Sequence, residues 1–276
     1  MNFLLRALRA ALALCLLAAA GAAAAQETTR PFEPIEGQAG KDVVWVPTPS
    51  TLVDKMLDMA RVTPKDYVMD LGSGDGRNII AAARRGARAL GVEYNPDMVE
   101  LSKRTAAKAG VADKARFVQG DMYEADISQA TVLALFLLPE NLRKLTPKFL
   151  DLRPGTRIVS NTYEIEGWTA DRTEKVEGDC MAWCSILLYV VPAKAAGTWR
   201  LPQGVLTLEQ NFQMLHGTLS TGGGINMPIA NGRLKGGRIT FTVDGAEYSG
   251  RVMGDTMKGA VKGGAATAWT ASRVQP

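Results

Sequence analysis

Three stretches of this chain carry side chains that could together hold a cationic nucleoside. The first is Asp70-Leu71-Gly72-Ser73-Gly74-Asp75-Gly76. Its glycines let backbone approach a ligand closely and turn straight into a helix, and Asp70 offers a carboxylate to an ammonium. Glu93 follows 17 residues after Gly76, placed to accept hydrogen bonds from two ribose hydroxyls. Asp121 can accept from an exocyclic adenine amine, and Met122 beside it can pack on the purine face. Ammonium, ribose and adenine are the parts of S-adenosylmethionine. Asp70, Gly72, Ser73, Gly74, Gly76, Glu93, Asp121 and Met122 are therefore read as the site for that cofactor. The rival is a nicotinamide or flavin site, which needs G-x-G-x-x-G and sets pyrophosphate on a helix N-terminus. Here the glycines are spaced G-x-G-x-G, and Asp75 would stand beside the pyrophosphate.

These residues need elements to position them. Apolar runs at 67–71, 89–92, 115–118, 131–136, 156–160 and 185–191 read as strands, and amphipathic stretches between most of them read as helices. Alternation of this kind predicts an α/β fold with a mostly parallel, doubly wound sheet and helices on both faces. Such sheets bind ligands at the carboxyl ends of their strands. Asp70, Glu93 and Asp121 all fall at such ends.

From these residues the chain resembles class I S-adenosylmethionine-dependent methyltransferases over 43–165. Val46-Pro47-Thr48-Pro49, Asp70 to Arg77, and Gly91-Val92-Glu93-Tyr94-Asn95-Pro96 are similar to the ATP synthase c-subunit lysine methyltransferase family and its bacterial relatives. The resemblance implies a Rossmann-like sheet, methyl transfer from S-adenosylmethionine, and a protein lysine as acceptor. A small-molecule acceptor, or a non-catalytic binding protein that keeps the pocket, are the alternative readings. The loop after the fourth strand departs from the Asn/Asp-Pro-Pro-aromatic pattern of enzymes that methylate amines and bases. It reads Leu137-Leu138-Pro139-Glu140 and keeps only Pro139, which argues against a base-amine acceptor. The segment after the fifth strand supplies other acceptor candidates: Asn161, Tyr163, Glu166 and Trp168. An aromatic can cradle an alkyl ammonium and a carboxylate can orient it; equally, this is an ordinary loop with Trp168 packed on the core. No catalytic acid or base is assigned. Alignment of acceptor, methyl and sulfur supplies much of the rate, and burial near a sulfonium lowers the pKa of an acceptor amine.

Composition limits the rest. The chain has one histidine, His216, which excludes a multi-histidine metal site. Residues 1–25 combine Arg6 and Arg9, a short apolar run and Ala23-Ala24-Ala25, the pattern of a cleaved signal peptide. Cleavage after Ala25 would export the protein to the periplasm or envelope, with no transmembrane segment left in the mature chain. It would remove two arginines and no acid, lowering the formal charge from +4 to +2, too weak to argue for nucleic acid. Residues 26–42 read as a flexible lead-in. The mature chain would keep Cys180 and Cys184. On one extended strand their Cα atoms would be about 13 Å apart, too far for a disulfide; a turn at 181–183 would allow one. Both arrangements are open.

The chain divides into a methyltransferase domain at 43–195 and a Gly-rich module at 196–276. The module repeats a polar-Gly-x-aliphatic unit at His216, Asn231, Ser249 and Lys258. That pattern predicts a small antiparallel meander or barrel, with its glycine excess assigned mostly to turns. Its role is either a binding accessory or a packing partner for the first domain.

Overall fold

The computed structural model describes residues 32–177, 180, 182–264 and 266–274. The expected signal peptide lies outside the described residues.

The first sheet has seven strands: β1 (Tyr67–Leu71), β2 (Arg88–Glu93), β3 (Ala115–Gln119), β4 (Val132–Leu135), β5 (Arg157–Asn161), β6 (Arg172–Lys175) and β7 (Ser185–Val190). Their order is β3-β2-β1-β4-β5-β7-β6. β1 to β5 pair in parallel; β7 runs antiparallel to both β5 and β6. Among the described residues four helices cover it: α1 (Ser50–Met59), α2 (Arg77–Arg84), α3 (Pro96–Lys108) and α4 (Pro139–Leu150).

The strand sequences explain the layering. Successive side chains point to opposite faces, so a strand buried on both sides must be apolar throughout. Val68, Val132, Ala134 and Val159 pack with Leu52 of α1, Ile79 of α2 and Val99 of α3. Their neighbours Met69, Leu133, Leu135 and Ile158 pack with Leu142, Leu145 and Phe149 of α4. Fully burying a leucine such as Leu133 contributes roughly 1.5–3 kcal/mol. One strand escaped the apolar reading. β6 is Arg-Thr-Glu-Lys, largely exposed at the sheet edge, and pairs with β7 from Arg172↔Leu188 to Lys175↔Ser185.

The second sheet holds β8 (Gly197–Leu201), β9 (Gly204–Asn211), β10 (Met214–Thr221), β11 (Asn226–Pro228), β12 (Ala230–Lys235), β13 (Arg238–Val243), β14 (Ala246–Met253), β15 (Thr256–Lys262) and β16 (Ala268–Arg273). β16 pairs with β8, β9 with β10, and β10 with β12, which closes eight antiparallel strands into a barrel; β11 pairs only with β10, outside the ring. Trp199, Leu206, Leu208, Leu234, Ile239, Phe241 and Trp269 form its buried interior. Asp244-Gly245 makes the β13–β14 turn with both residues at positive φ, as a tight hairpin requires.

The glycines of the repeated unit lie within strands rather than in turns. Gly250 of β14 stands opposite Gly259 of β15. A Cβ on Gly250 would lie 2.8 Å from the Trp269 ring, and one on Gly259 would lie 1.8 Å from the Ser249 oxygen. A barrel this narrow brings backbone against backbone and ring at such positions, and only glycine fits.

The lead-in also differs from expectation where it is described. Gly37 N–H donates to the Trp45 carbonyl (2.8 Å) and Trp45 N–H to the Gln38 carbonyl (2.9 Å). This folded strap lies against the carboxyl ends of β2 and β3, where Gln38 to Val46 share a cavity wall with Glu93 and Asp121. Among the described residues no helix is long and apolar enough to cross a membrane.

Candidate functional site

The loop from β1 to α2 is shaped by its glycines and tied to β2. Gly72 and Ser73 N–H both donate to the Val92 carbonyl, at 2.8 and 3.0 Å. Gly72, Gly74 and Gly76 all have positive φ, and Gly76 caps α2. A Cβ on Gly74 would lie 2.6 Å from Trp45 Nε1 of the strap. Arg77 holds Asp75 through Nη2 at 2.6 Å and reaches back to the Thr48 carbonyl at 2.6 Å. The acid in the loop is thus neutralised by a nearby arginine. That arginine also anchors the Pro47-Thr48-Pro49 segment.

A cavity of about 230 Å³ opens in front of this loop. Of the expected cofactor residues, Gly72, Glu93, Asp121 and Met122 line it. Glu93 Oε2 accepts from Gly74 N–H (2.8 Å) and Oε1 from Asn95 N–H (2.9 Å), so the carboxylate is fixed at the wall by backbone. Asp121 Oδ1 accepts from Tyr123 N–H at 2.8 Å, and Oδ2 accepts from the Lys41 ammonium. The Lys41 hydrogen bond holds the Asp121 carboxyl below its usual range, and Asp121 in turn raises Lys41. Lys41 also lies 5.0 Å from the Tyr94 ring centroid.

Asp70, Ser73, Gly74 and Gly76 are not part of the lining. Ser73 is buried, and a Cβ on Gly91 would lie 2.5 Å from its hydroxyl oxygen. Its Oγ has no partner among the described residues. Asp70 is buried, with Asn78 Nδ2 donating to it at 3.0 Å. Burial pushes its carboxyl well above the usual range, and Glu93 and Asp75 add repulsion. A buried carboxyl group with no cationic partner among the described residues is one that a cationic ligand would stabilise in its charged form, which fits a site whose ligand is itself a cation. The glycine cradle and the fixed Glu93 fit a nucleoside. The residues present therefore fit S-adenosylmethionine.

The acceptor candidates separate. Tyr163 lines the cavity; Pro139, Asn161, Glu166 and Trp168 do not. Tyr163 is set by a tight turn: its N–H donates to the Asn161 carbonyl at 2.7 Å, and Ser160 Oγ donates to its carbonyl at 2.8 Å. Asn161 is fully buried in the turn. Pro139 begins α4 and Glu166 faces solvent. Trp168 belongs to the core, stacked on Phe212 at 5.2 Å and packed on Tyr189 at 5.4 Å. Its ring is covered because the barrel's β9–β10 turn docks on it, so the acceptor role does not hold for Trp168.

Other residues take that place. Phe136, Leu137 and Leu138 line the cavity after β4, and Trp183 faces them. Phe136 lies 6.2 Å from Tyr163 and 5.9 Å from Trp183. Trp183 is carried on a turn closed by a Cys180–Cys184 disulfide, with Cα atoms 5.2 Å apart. Trp183 N–H donates to the Cys180 carbonyl at 3.0 Å, the turn that a bridge requires. Lys41 and Trp45 also line the cavity without any local signal to single them out, although Trp45 directly precedes the Val46-Pro47-Thr48-Pro49 segment.

Known proteins match this arrangement. The family model described as ANTKMT methyltransferase domain matches residues 70–172. A protein-lysine N-methyltransferase from Saccharolobus islandicus (strain REY15A) is 43% identical over 152 residues, which cover 54% of this chain and 94% of that protein. An ATP synthase c-subunit lysine N-methyltransferase from Mus musculus is 35% identical over 130 residues, 47% of this chain and 52% of that protein. The chain thus spans about half the length of the mouse protein. Among solved structures, an RNA methyltransferase from Salinibacter ruber in complex with S-adenosyl-L-homocysteine is 47% identical, with a TM-score of 0.51; the match covers 54% of this chain and 95% of that one.

Proposed function

The chain belongs to the protein-lysine N-methyltransferase family, and we propose that it transfers the methyl group of S-adenosylmethionine to a lysine side chain of a protein outside the cytoplasm. The observation that carries this is one continuous cavity. Glu93 and Asp121 come from β2 and the loop after β3, on one side of β1 in the sheet; Phe136 and Tyr163 follow β4 and β5, on the other side, and Trp183 lines the same cavity. S-adenosylmethionine, when bound, supplies an electrophilic methyl on a sulfonium. The chain's own residues do the rest. Glu93 fixes a ribose, while the aromatic side excludes water and aligns an acceptor amine. Desolvation there favours the neutral amine, which is the nucleophile. The sole histidine, His216, is exposed on β10 of the barrel and does not line this cavity.

Protein lysine is favoured over a nucleobase because the loop after β4 presents Phe136, Leu137 and Leu138 to the cavity and no side-chain amide or acid that would grip a base edge. Export is supported by the Ala-rich leader and by the Cys180–Cys184 bridge, since disulfides persist in oxidising compartments. The test is transfer of labelled methyl into an envelope extract, followed by fractionation and acid hydrolysis. Label is expected in methylated lysines of protein. Label recovered only in RNA or in small molecules would replace this reading. Mass spectrometry of the mature N-terminus tests export; a chain beginning at Met1 in the cytoplasmic fraction would refute it.

A further inference from the structure

The barrel carries a row of cations that methyl transfer does not use. Lys235 stands opposite Arg238, Arg238 opposite Arg251, and Arg251 opposite Lys258. Directly opposed residues share one face and lie about 4.5–5.5 Å apart at Cα. Four positive charges therefore follow one another across β12, β13, β14 and β15, all exposed. Like charges so arranged repel. Among the described residues none of the four is in an ion pair, whereas Arg233 and Arg273 of the same barrel pair with Asp171 and Asp255.

Three of the four converge on a cleft between the barrel and the α/β sheet. Lys235, Arg238 and Arg251 form one side; Pro154, Gly155 and Val190 form the other. The two walls of the cleft touch at Gly236. A Cβ on Gly236 would lie 3.0 Å from Gly155 Cα, and Ala193 N–H donates to the Gly236 carbonyl at 3.0 Å. Among the described residues its lining contains no carboxylate side chain.

We propose that this cleft binds a phosphate group through Lys235, Arg238 and Arg251, with Lys258 extending the field. Guanidinium forks match phosphate oxygens in pairs, and such a ligand removes the repulsion along the row. The neighbouring Thr240, Ser249 and Thr270 of the same sheet are small and polar. They offer no ring on which a nucleobase could stack, so the recognised chemistry is the phosphate itself. A free phosphate and a phospholipid headgroup both present it.

The experiment uses two probes at low ionic strength: inorganic phosphate by titration calorimetry, and co-sedimentation with vesicles of phosphatidylcholine and phosphatidylglycerol against phosphatidylcholine alone. The full chain is compared with Arg238→Ala/Arg251→Ala and with a charge-matched control, Arg104→Ala/Lys108→Ala on α3. The wild type and the control should bind at least one probe, and the barrel variant should lose about fivefold in affinity per charge removed. Lys235→Gln is a milder second variant, with a several-fold loss expected. Binding of phosphate alone identifies a free anion; binding of the anionic vesicles identifies a headgroup. No binding of either probe by the wild type overturns the site, and so does an equal loss in the control. None of these readouts depends on methyl transfer.

Discussion

Lys41, in the strap before α1, donates a hydrogen bond to Asp121, which follows β3 and lies 80 residues away in sequence. Asp121 is the carboxylate expected to accept from an adenine amine; on that expectation Lys41 and the nucleoside would compete for the same carboxylate. Removing the competitor should help the ligand. Lys41→Met is expected to tighten S-adenosylhomocysteine by about twofold to fivefold, the range of a solvent-exposed ion pair. Calorimetric titration decides it. Weaker binding would mean that Lys41 belongs to the bound state instead.

Glu93 is expected to dominate affinity. Its oxygens already accept from Gly74 and Asn95 N–H, so Glu93→Ala removes the ribose acceptor and loosens the Gly-rich loop together. The loss for S-adenosylhomocysteine should be about 1.5–3 kcal/mol, the range of hydrogen bonds to a charged group. Glu93→Gln keeps one acceptor oxygen and should lose less. Unchanged affinity in the alanine variant refutes the assignment.

Asp70 sets a pH dependence. Its folded carboxyl is raised by burial and by Glu93 and Asp75. A raised folded value means that stability is fully present below the ordinary carboxylate range of about 4 and is lost as pH rises through the folded value. Without ligand, Asp70→Asn should therefore melt higher than the wild type near neutral pH, and the gap should close on acidification. A gap that widens in acid contradicts the sign. The same variant should bind S-adenosylhomocysteine about tenfold more weakly, through loss of charge near the ligand's ammonium.

The disulfide makes a prediction at the aromatic side of the cavity. Cys180→Ser/Cys184→Ser should release Trp183 from Phe136 and raise KM for the protein acceptor while leaving S-adenosylhomocysteine affinity unchanged. The stability cost should stay about 2 kcal/mol, because the closed loop is short. An unchanged KM, or a parallel loss of cofactor affinity, would remove Trp183 from the acceptor wall.

Much of this molecule could be read without coordinates, for identifiable reasons. Strands buried on both faces must be apolar, so Val68-Met69 and Val132-Leu133 declared themselves. The Gly72-to-Gly76 loop needs residues free at positive φ. The failures share a different cause: contacts between distant residues. β6 has no apolar residue and exists because β7 offers it an edge. The placement of the strap at the site involves distant pairs such as Lys41 with Asp121, which no local pattern encodes. Trp168 is of a residue type that could cradle a ligand, and its distant partners Tyr189 and Phe212 make it core. Closure of the barrel rests on β8 meeting β16, the first and last strands of its sheet in chain order.

The Trp168–Phe212 stack has one more consequence. Gln213 beside it donates to the Thr169 carbonyl at 2.6 Å, and Arg233 pairs with Asp171 at 3.0 Å. Removing the barrel would strip an indole, a buried carboxylate and a backbone carbonyl of their cover at once. The two sheets should therefore melt in a single cooperative transition, with equal van't Hoff and calorimetric enthalpies, and a fragment ending at residue 195 should aggregate.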